Sequence, residues 1–145
     1  MLISKKYHFV FIHVYKNAGT SVMNALLPFA ASKMQYATCR VLNKFGIIPS
    51  FDPAPFPAHI SAAALIEEIG KEAYDSLFSF AIVRNPWDWQ VSLYTYMLKT
   101  KRHHQYNLAQ TFGGFDGYIR WRCSEEVRLQ KDFICSKNGD LLVNK

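Results

Sequence analysis

A chain of 145 residues has the length of one domain and buries roughly 70% of its unfolded surface, enough to fold without disulfides or metal. Half of its residues are apolar and 15% are aromatic, which excludes a disordered chain. A net charge of +6 favours anionic ligands in general (nucleotides, sulfated or phosphorylated sugars, nucleic acid, a membrane surface) without choosing among them. Cys39, Cys123 and Cys135 are odd in number and form no C-x-x-C pair, so reduced thiols are expected. No run approaches the ~20 apolar residues that a membrane span needs.

The opening "MLISKKYHFVFIHV" sets lysines before an apolar run, as a secretory leader does. The run is rich in β-branched and aromatic residues and no small-residue cleavage site follows, so it reads as a strand, and the expected compartment is the cytoplasm. The strand covers Tyr7 to Val14, almost wholly apolar and too short for a helix. Gly19 ends the turn, and Thr20 or Ser21 is placed to cap a helix through "VMNALLPFAASKM", with Pro28 as a kink or stop. Residues 45–59 hold four of the six prolines and read as extended loop. Ser61 caps a helix over "AAALIEEIGKEAYDSL", and Phe78 to Val83 is a second buried strand. Asn85-Pro86 breaks that strand. From Trp87 to Lys101, Val91, Tyr94, Met97 and Leu98 recur at helical spacing. "KTKRHHQYN" is a basic surface segment, a further helix lies around "FDGYIRWRCSEEVRLQKDF", and "KDFICSKNGDLLVNK" reads as a hairpin about Asn-Gly. The order strand, helix, helix, strand, helix predicts one α/β domain over residues 1–145, with a parallel central sheet flanked by helices.

In such a sheet, ligands gather where strand ends meet helix starts, and two loops have that form. In "FIHVYKNAGTS", Gly19 lets backbone amides approach an anion, Thr20 and Ser21 add hydroxyls at the positive end of the helix dipole, and Lys16 adds a full charge. The nucleoside-triphosphate loop G-x-x-x-x-G-K-[ST] has its lysine after the last glycine. Here the lysine stands three residues before the glycine, so this is a different anion loop. In "FAIVRNPWDWQVS", a strand delivers Arg84 at its end and Ser92 follows in the second turn of a helix. A guanidinium fork and a hydroxyl suit a phosphate monoester.

"HVYKNAGTS" resembles the P-K-x-[AG]-G-T-[ST] loop of sulfotransferases that use 3′-phosphoadenosine 5′-phosphosulfate, and "VRNPWDWQVSLYTYM" resembles their R-[ND]-P-x-x-R-x-x-S segment. The likeness runs from about residue 8 to 143 and is nearest to the carbohydrate branch, which includes heparan 2-O-sulfotransferase-like enzymes and bacterial relatives. It implies a three-layer fold like that of the P-loop nucleotide-binding enzymes, here short at its C-terminal end, where relatives continue with further helices. It implies that Lys16, Asn17, Ala18, Gly19, Thr20 and Ser21 bind the 5′-phosphosulfate, and Arg84 and Ser92 the 3′-phosphate. It also implies that His59, just ahead of a helix, deprotonates the acceptor hydroxyl, a role suited to a near-neutral pKa, with Lys16 as its catalytic partner. The donor would be 3′-phosphoadenosine 5′-phosphosulfate, its product the 3′,5′-bisphosphate, the acceptor a glycan or small-molecule hydroxyl, and no metal or nucleic acid is expected to take part. Tyr15 replaces the family's proline and Trp89 an arginine common there.

Single residues also carry blander readings. Lys16–Ser21 can be a mere helix corner, Arg84 a salt-bridge residue, Ser92 an ordinary helix serine and His59 an exposed capping residue. His13, inside an apolar strand, is expected to support the loop rather than act as a base. Trp87 and Trp89 are expected to pack the helix, with shaping of the nucleotide or acceptor cleft as the alternative, and His103-His104 to form solvated surface. Lys99, Lys101, Arg102, Arg120 and Arg122 read either as solvated surface or as a guide for an acidic acceptor. The rival function is a non-catalytic basic module for nucleotides or glycans. A nucleic-acid binder would respond steeply to salt and ignore the 3′-phosphate, whereas a sulfotransferase would discriminate by it.

Overall fold

The computed structural model describes residues 1–30 and 56–145. The expected helix end beyond Ala30, most of the proline-rich loop and Cys39 lie outside the described residues. Contacts divide the chain into two compact units, Met1–Ile82 with Lys131–Lys145, and Val83–Gln130.

Among the described residues the first unit is built on a three-stranded sheet: β1 (Leu2–Ser4), β2 (Phe9–Ile12) and β3 (Phe78–Ala81). β2 and β3 pair in parallel, Phe9 beside Phe78 and Ile12 beside Ala81. β1 runs antiparallel to β2, Leu2 opposite Phe11 and Ser4 opposite Phe9. The described sheet is therefore mixed, and the parallel pairing expected from sequence is found between β2 and β3. The four-residue turn Lys5–His8, with His8 at φ 51°, is too short for a crossover and folds β1 back on β2.

Alternation along β2 explains its unbroken apolar run. Phe11, with Leu2 of β1, packs on Met23 and Leu27 of α1 (Gly19–Ala30). Val10, Ile12 and Val14 face the other way, onto Ala62 and Leu65 of α2 (Ala62–Ile69), Tyr74 of α3 (Lys71–Asp75), and Phe133 and Val143. A strand covered on both faces has no polar side to show, which is why period-two alternation is missing. Ser61 caps α2, its hydroxyl accepting from Ala64 N–H at 3.2 Å. The single helix expected after Ser61 is two, because Gly70 takes φ 85° and turns the chain between α2 and α3.

The C-terminal residues close the open edge of β3. Ser79 N–H donates to Asn144 Oδ1 at 2.7 Å, Asn144 N–H returns to Ser79 O at 2.8 Å, and Ala81 N–H reaches Lys145 O at 3.0 Å. The hairpin expected over residues 131–145 is reduced to one antiparallel bridge, Cys135 to Leu141, around a turn with Gly139 at φ 92°. The segment before it forms a 3₁₀ turn, Gln130–Phe133, instead of a strand.

The second unit is helical: α4 (Pro86–Lys99), α5 (Tyr106–Thr111) and α6 (Phe115–Ser124). Trp89, Leu93, Met97, Ala109 and Tyr118 are its core. Tyr118 stacks on Tyr94 and donates its hydroxyl to Gln90 Oε1 at 2.7 Å. Arg122, expected at the surface, is buried beside the rings of Trp89 and Trp121 and donates to Arg128 O at 2.7 Å. Trp89 is packed as expected, but Trp87 is 72% exposed. α5 replaces the end of what the sequence offered only as a basic surface stretch. Cys123 and Cys135 are free thiols. No helix among the described residues is long and apolar enough to cross a membrane.

Candidate functional site

β2 hands the chain to α1 through residues 13–18, and three features shape that loop. Lys16 and Ala18 both sit in the left-handed region, at φ 62° and 56°. Non-glycine residues adopt it at a cost of order 1–3 kcal/mol each and persist there only where the surroundings impose it. Asn17, between them, is buried and its side-chain amide donates to Ile82 O, just past the end of β3, at 3.0 Å. This bond ties the loop to the neighbouring strand, a task that its reading as a ligand-binding residue did not anticipate.

The third feature is a close approach. Gly19, the first residue of α1, lies directly against the imidazole of His13, and a Cβ at Gly19 would stand 1.7 Å from His13 Nε2. No side chain larger than hydrogen fits without displacing the ring. The helix starts one or two residues before the expected caps, with Val22 N–H bonded to Ala18 O at 3.0 Å. Thr20 and Ser21 therefore lie within the first turn, both exposed, and that turn carries no acidic residue. Its leading N–H groups have no carbonyl within the helix to meet, and they sit at the positive end of the dipole.

His13 itself is 9% exposed, and its Nδ1 has no hydrogen-bond partner among the described residues. Burial lowers its pKa to about 4, helped by the adjoining His59 ring and the ammonium at Met1. It is a neutral imidazole at ordinary pH, supporting the loop as expected and adding no charge. His59 is exposed, just ahead of the Ser61 cap. Its Nδ1 lies 3.0 Å from the His13 carbonyl, and the two rings are 4.4 Å apart. A carbonyl only accepts, so Nδ1 carries the proton, and in the neutral ring the lone pair is on Nε2. Tyr15, the residue in place of the family's proline, sets its ring edge-on to His59 at 5.9 Å and to Phe133 at 5.3 Å. The substitution exchanges a preset φ angle for an aromatic wall beside the histidine.

In the second unit, Gln130 brackets the backbone of Arg84: Arg84 N–H donates to Gln130 Oε1 at 3.0 Å, and Gln130 Nε2 donates to Arg84 O at 2.8 Å. Arg84 is exposed beyond this clamp, and nothing in the local sequence pointed to Gln130, 46 residues away. α4 begins with Asn85 as cap, whose side chain accepts from Trp87 N–H at 2.9 Å and Asp88 N–H at 3.4 Å, and with Pro86 as the first helical residue. Ser92 is half-buried in the second turn, as the spacing predicted.

Lys16, Asn17, Ala18, Gly19, Thr20, Ser21, His13 and His59 are thus gathered in the first unit, while Arg84 and Ser92 belong to the second. The described residues hold no cluster of His, Cys, Asp or Glu able to bind a metal ion. Chemically, the β2–α1 loop offers amides, hydroxyls and a lysine to an anion, next to a histidine whose tautomer is fixed. No curated protein and no solved structure is significantly similar to the chain. A family model, that of the sulfotransferase family, matches residues 1–138. With nearly its whole length matched, the chain belongs to the sulfotransferase family.

Proposed function

We propose that the chain transfers a sulfuryl group from 3′-phosphoadenosine 5′-phosphosulfate to a hydroxyl, on a carbohydrate of the kind used by the heparan 2-O-sulfotransferase-like branch. The observation that carries this reading is the start of α1: a first turn free of acidic side chains, preceded by two left-handed residues and closed beneath by Gly19 on His13. These residues fit a phosphosulfate, because a curled loop running into a helix start presents amides to an anion. The bound donor would supply an activated sulfuryl group, and the rest of the chemistry falls to the protein.

Lys16 and the amides of Gly19, Thr20 and Ser21 hold the 5′ anion and stabilise the charge that grows on the leaving phosphate. Preorganised donors of this kind each contribute about 10²–10³ in rate. His59 takes the acceptor's proton on Nε2, the nitrogen left free by the bond from Nδ1 to the His13 carbonyl. Arg84, clamped through its backbone by Gln130, and Ser92 are assigned to the 3′-phosphate.

The test is calorimetry with adenosine 3′,5′-bisphosphate and adenosine 5′-monophosphate, followed by a screen of glycan and small-hydroxyl acceptors with labelled donor. Strong preference for the bisphosphate and label on a hydroxyl are expected. Equal affinity for both nucleotides, with no transfer, would favour a basic binding module.

A further inference from the structure

His13 is a costly choice if its only task is to fill the space beneath Gly19. A phenylalanine or leucine would fill a buried position between Phe11 and His59 without leaving a nitrogen unpaired, yet Nδ1 is buried and without a partner among the described residues. Buried polar groups are nearly always satisfied, and an exception points to something the group meets in function. The other nitrogen, Nε2, is pressed against the first residue of α1, where the leading amides collect an anion. This argument rests on the reading of that turn as the seat of the donor's phosphosulfate.

We propose that His13 is a further binding residue of this site: an anion seated on the first turn of α1 draws a proton from solvent onto the His13 imidazole, so donor binding and protonation are coupled.

The groups around the ring give the sign. From the loop before α2 comes His59, its ring 4.4 Å away, and from the residue ahead of β1 comes the Met1 ammonium; both oppose a positive charge on His13. Phe11, on its own strand, is neutral, the first turn of α1 has no acidic residue, and among the described residues no carboxylate pairs with His13. Burial and these neighbours hold the ring neutral, its pKa lowered to about 4. An anion one residue away works against this lowering and brings the ring back toward the ordinary histidine value, because an opposite charge at close range raises proton affinity roughly 10- to 1,000-fold. In its doubly protonated form the ring offers a charged donor at each nitrogen. The loop thus gains a cation only when there is an anion to meet it.

The experiment is calorimetry of adenosine 5′-phosphosulfate binding at about pH 5.5, below the ordinary histidine value, in acetate and in MES, whose ionisation enthalpies differ. The anhydride has no group that titrates there, so any proton taken up is the protein's. The unmodified protein and His59→Gln should take up roughly a quarter to nearly one proton per site, and His13→Gln none. Identical heats in the two buffers, or uptake that survives in His13→Gln and vanishes in His59→Gln, would overturn the inference while leaving the donor site standing. Failure of the unmodified protein to bind the anion at all would overturn the reading of the turn, and this coupling with it. Should His13→Gln not fold, ring-carbon NMR on the unmodified protein decides. The His13 signal should titrate at higher pH with the anion than without it, and an unmoved titration contradicts the proposal.

Discussion

The two helix starts that the sequence marked as anion loops are built in opposite ways. At α4, the Asn85 side chain accepts from the N–H groups of Trp87 and Asp88, Pro86 removes another donor, and Asp88 places a carboxylate in the first turn. At α1, no acidic residue enters the first turn, the hydroxyl residues are exposed, and the chain before it is held in two left-handed conformations. One start has satisfied its dipole with its own atoms, and under the proposed function the other leaves amides for a ligand. A strand–loop–helix corner is therefore insufficient to define an anion site; what caps the helix decides. On this view the second loop contributes through the Arg84 guanidinium and Ser92, not through the α4 amides.

The largest effect expected from this contrast falls on the α1 side. His59→Ala should lower turnover by at least about a hundredfold, within the ~10²–10⁴ range of general bases, and leave bisphosphate affinity nearly unchanged. Lys16→Ala should lower turnover by about 10²–10³ and weaken donor binding as well, because its charge meets the donor before and during transfer. Steady-state kinetics paired with calorimetry separate the two patterns. An active enzyme in which His59→Ala keeps its rate across pH would place the base elsewhere.

Next comes stability against pH, since α1 rests on a titratable ring. The unfolded chain binds a proton at His13 below about 6.5, whereas the folded protein keeps it neutral down to about 4. Within that window the unfolded state holds more protons, so stability falls as pH drops, by about 3 kcal/mol in all. Urea unfolding at pH values spanning the window should show this slope, and His13→Phe should flatten it. Equal slopes in the two proteins would mean that the imidazole is not held neutral by the fold.

Arg84→Ala sharpens the comparison at the second loop. It should erase about tenfold or more of the preference for the 3′,5′-bisphosphate over the 5′-monophosphate, since a charge-assisted hydrogen bond contributes on the order of 1.5–3 kcal/mol. An unchanged preference in calorimetry would remove Arg84 from the 3′-phosphate. The smallest effect is reserved for Asn85→Ala, which should cost about 1 kcal/mol in thermal or urea unfolding and leave nucleotide affinity alone. Stronger or weaker nucleotide binding in that variant would mean that the α4 amides do meet the ligand.

These contrasts also show which parts of the molecule the sequence made legible. Asn85-Pro86 is a strong local signal, since the cap and the first helical position each favour those residue types, and α4 starts where they stand. The apolar run of β2 marked a strand buried on both faces, and helices cover both. Gly19 with its following hydroxyls marked the loop. Other features had no local signal. Lys16 and Ala18 are not glycines, so their positive φ angles are written nowhere in their side chains. Gly70 lies in a pattern that also reads as continuous helix, and only its backbone conformation splits α2 from α3. β1 is three residues long, too short for alternation to register. The bond from Asn17 to Ile82 spans 65 residues, and the contact of Gly19 with His13 depends on how the loop curls back over the strand. Such features become visible only when distant segments meet.

The central claim is that the amides at the start of α1, and not those at α4, receive the donor's 5′ anion. An ¹H–¹⁵N NMR titration with adenosine 3′,5′-bisphosphate tests it without any substitution. The account predicts that at saturation the amide signals of Gly19, Thr20 and Ser21 shift most, while those of Trp87 and Asp88, already bonded to Asn85, shift little. Large shifts at Trp87 and Asp88 with the α1 amides unmoved, or no binding at all, would contradict it.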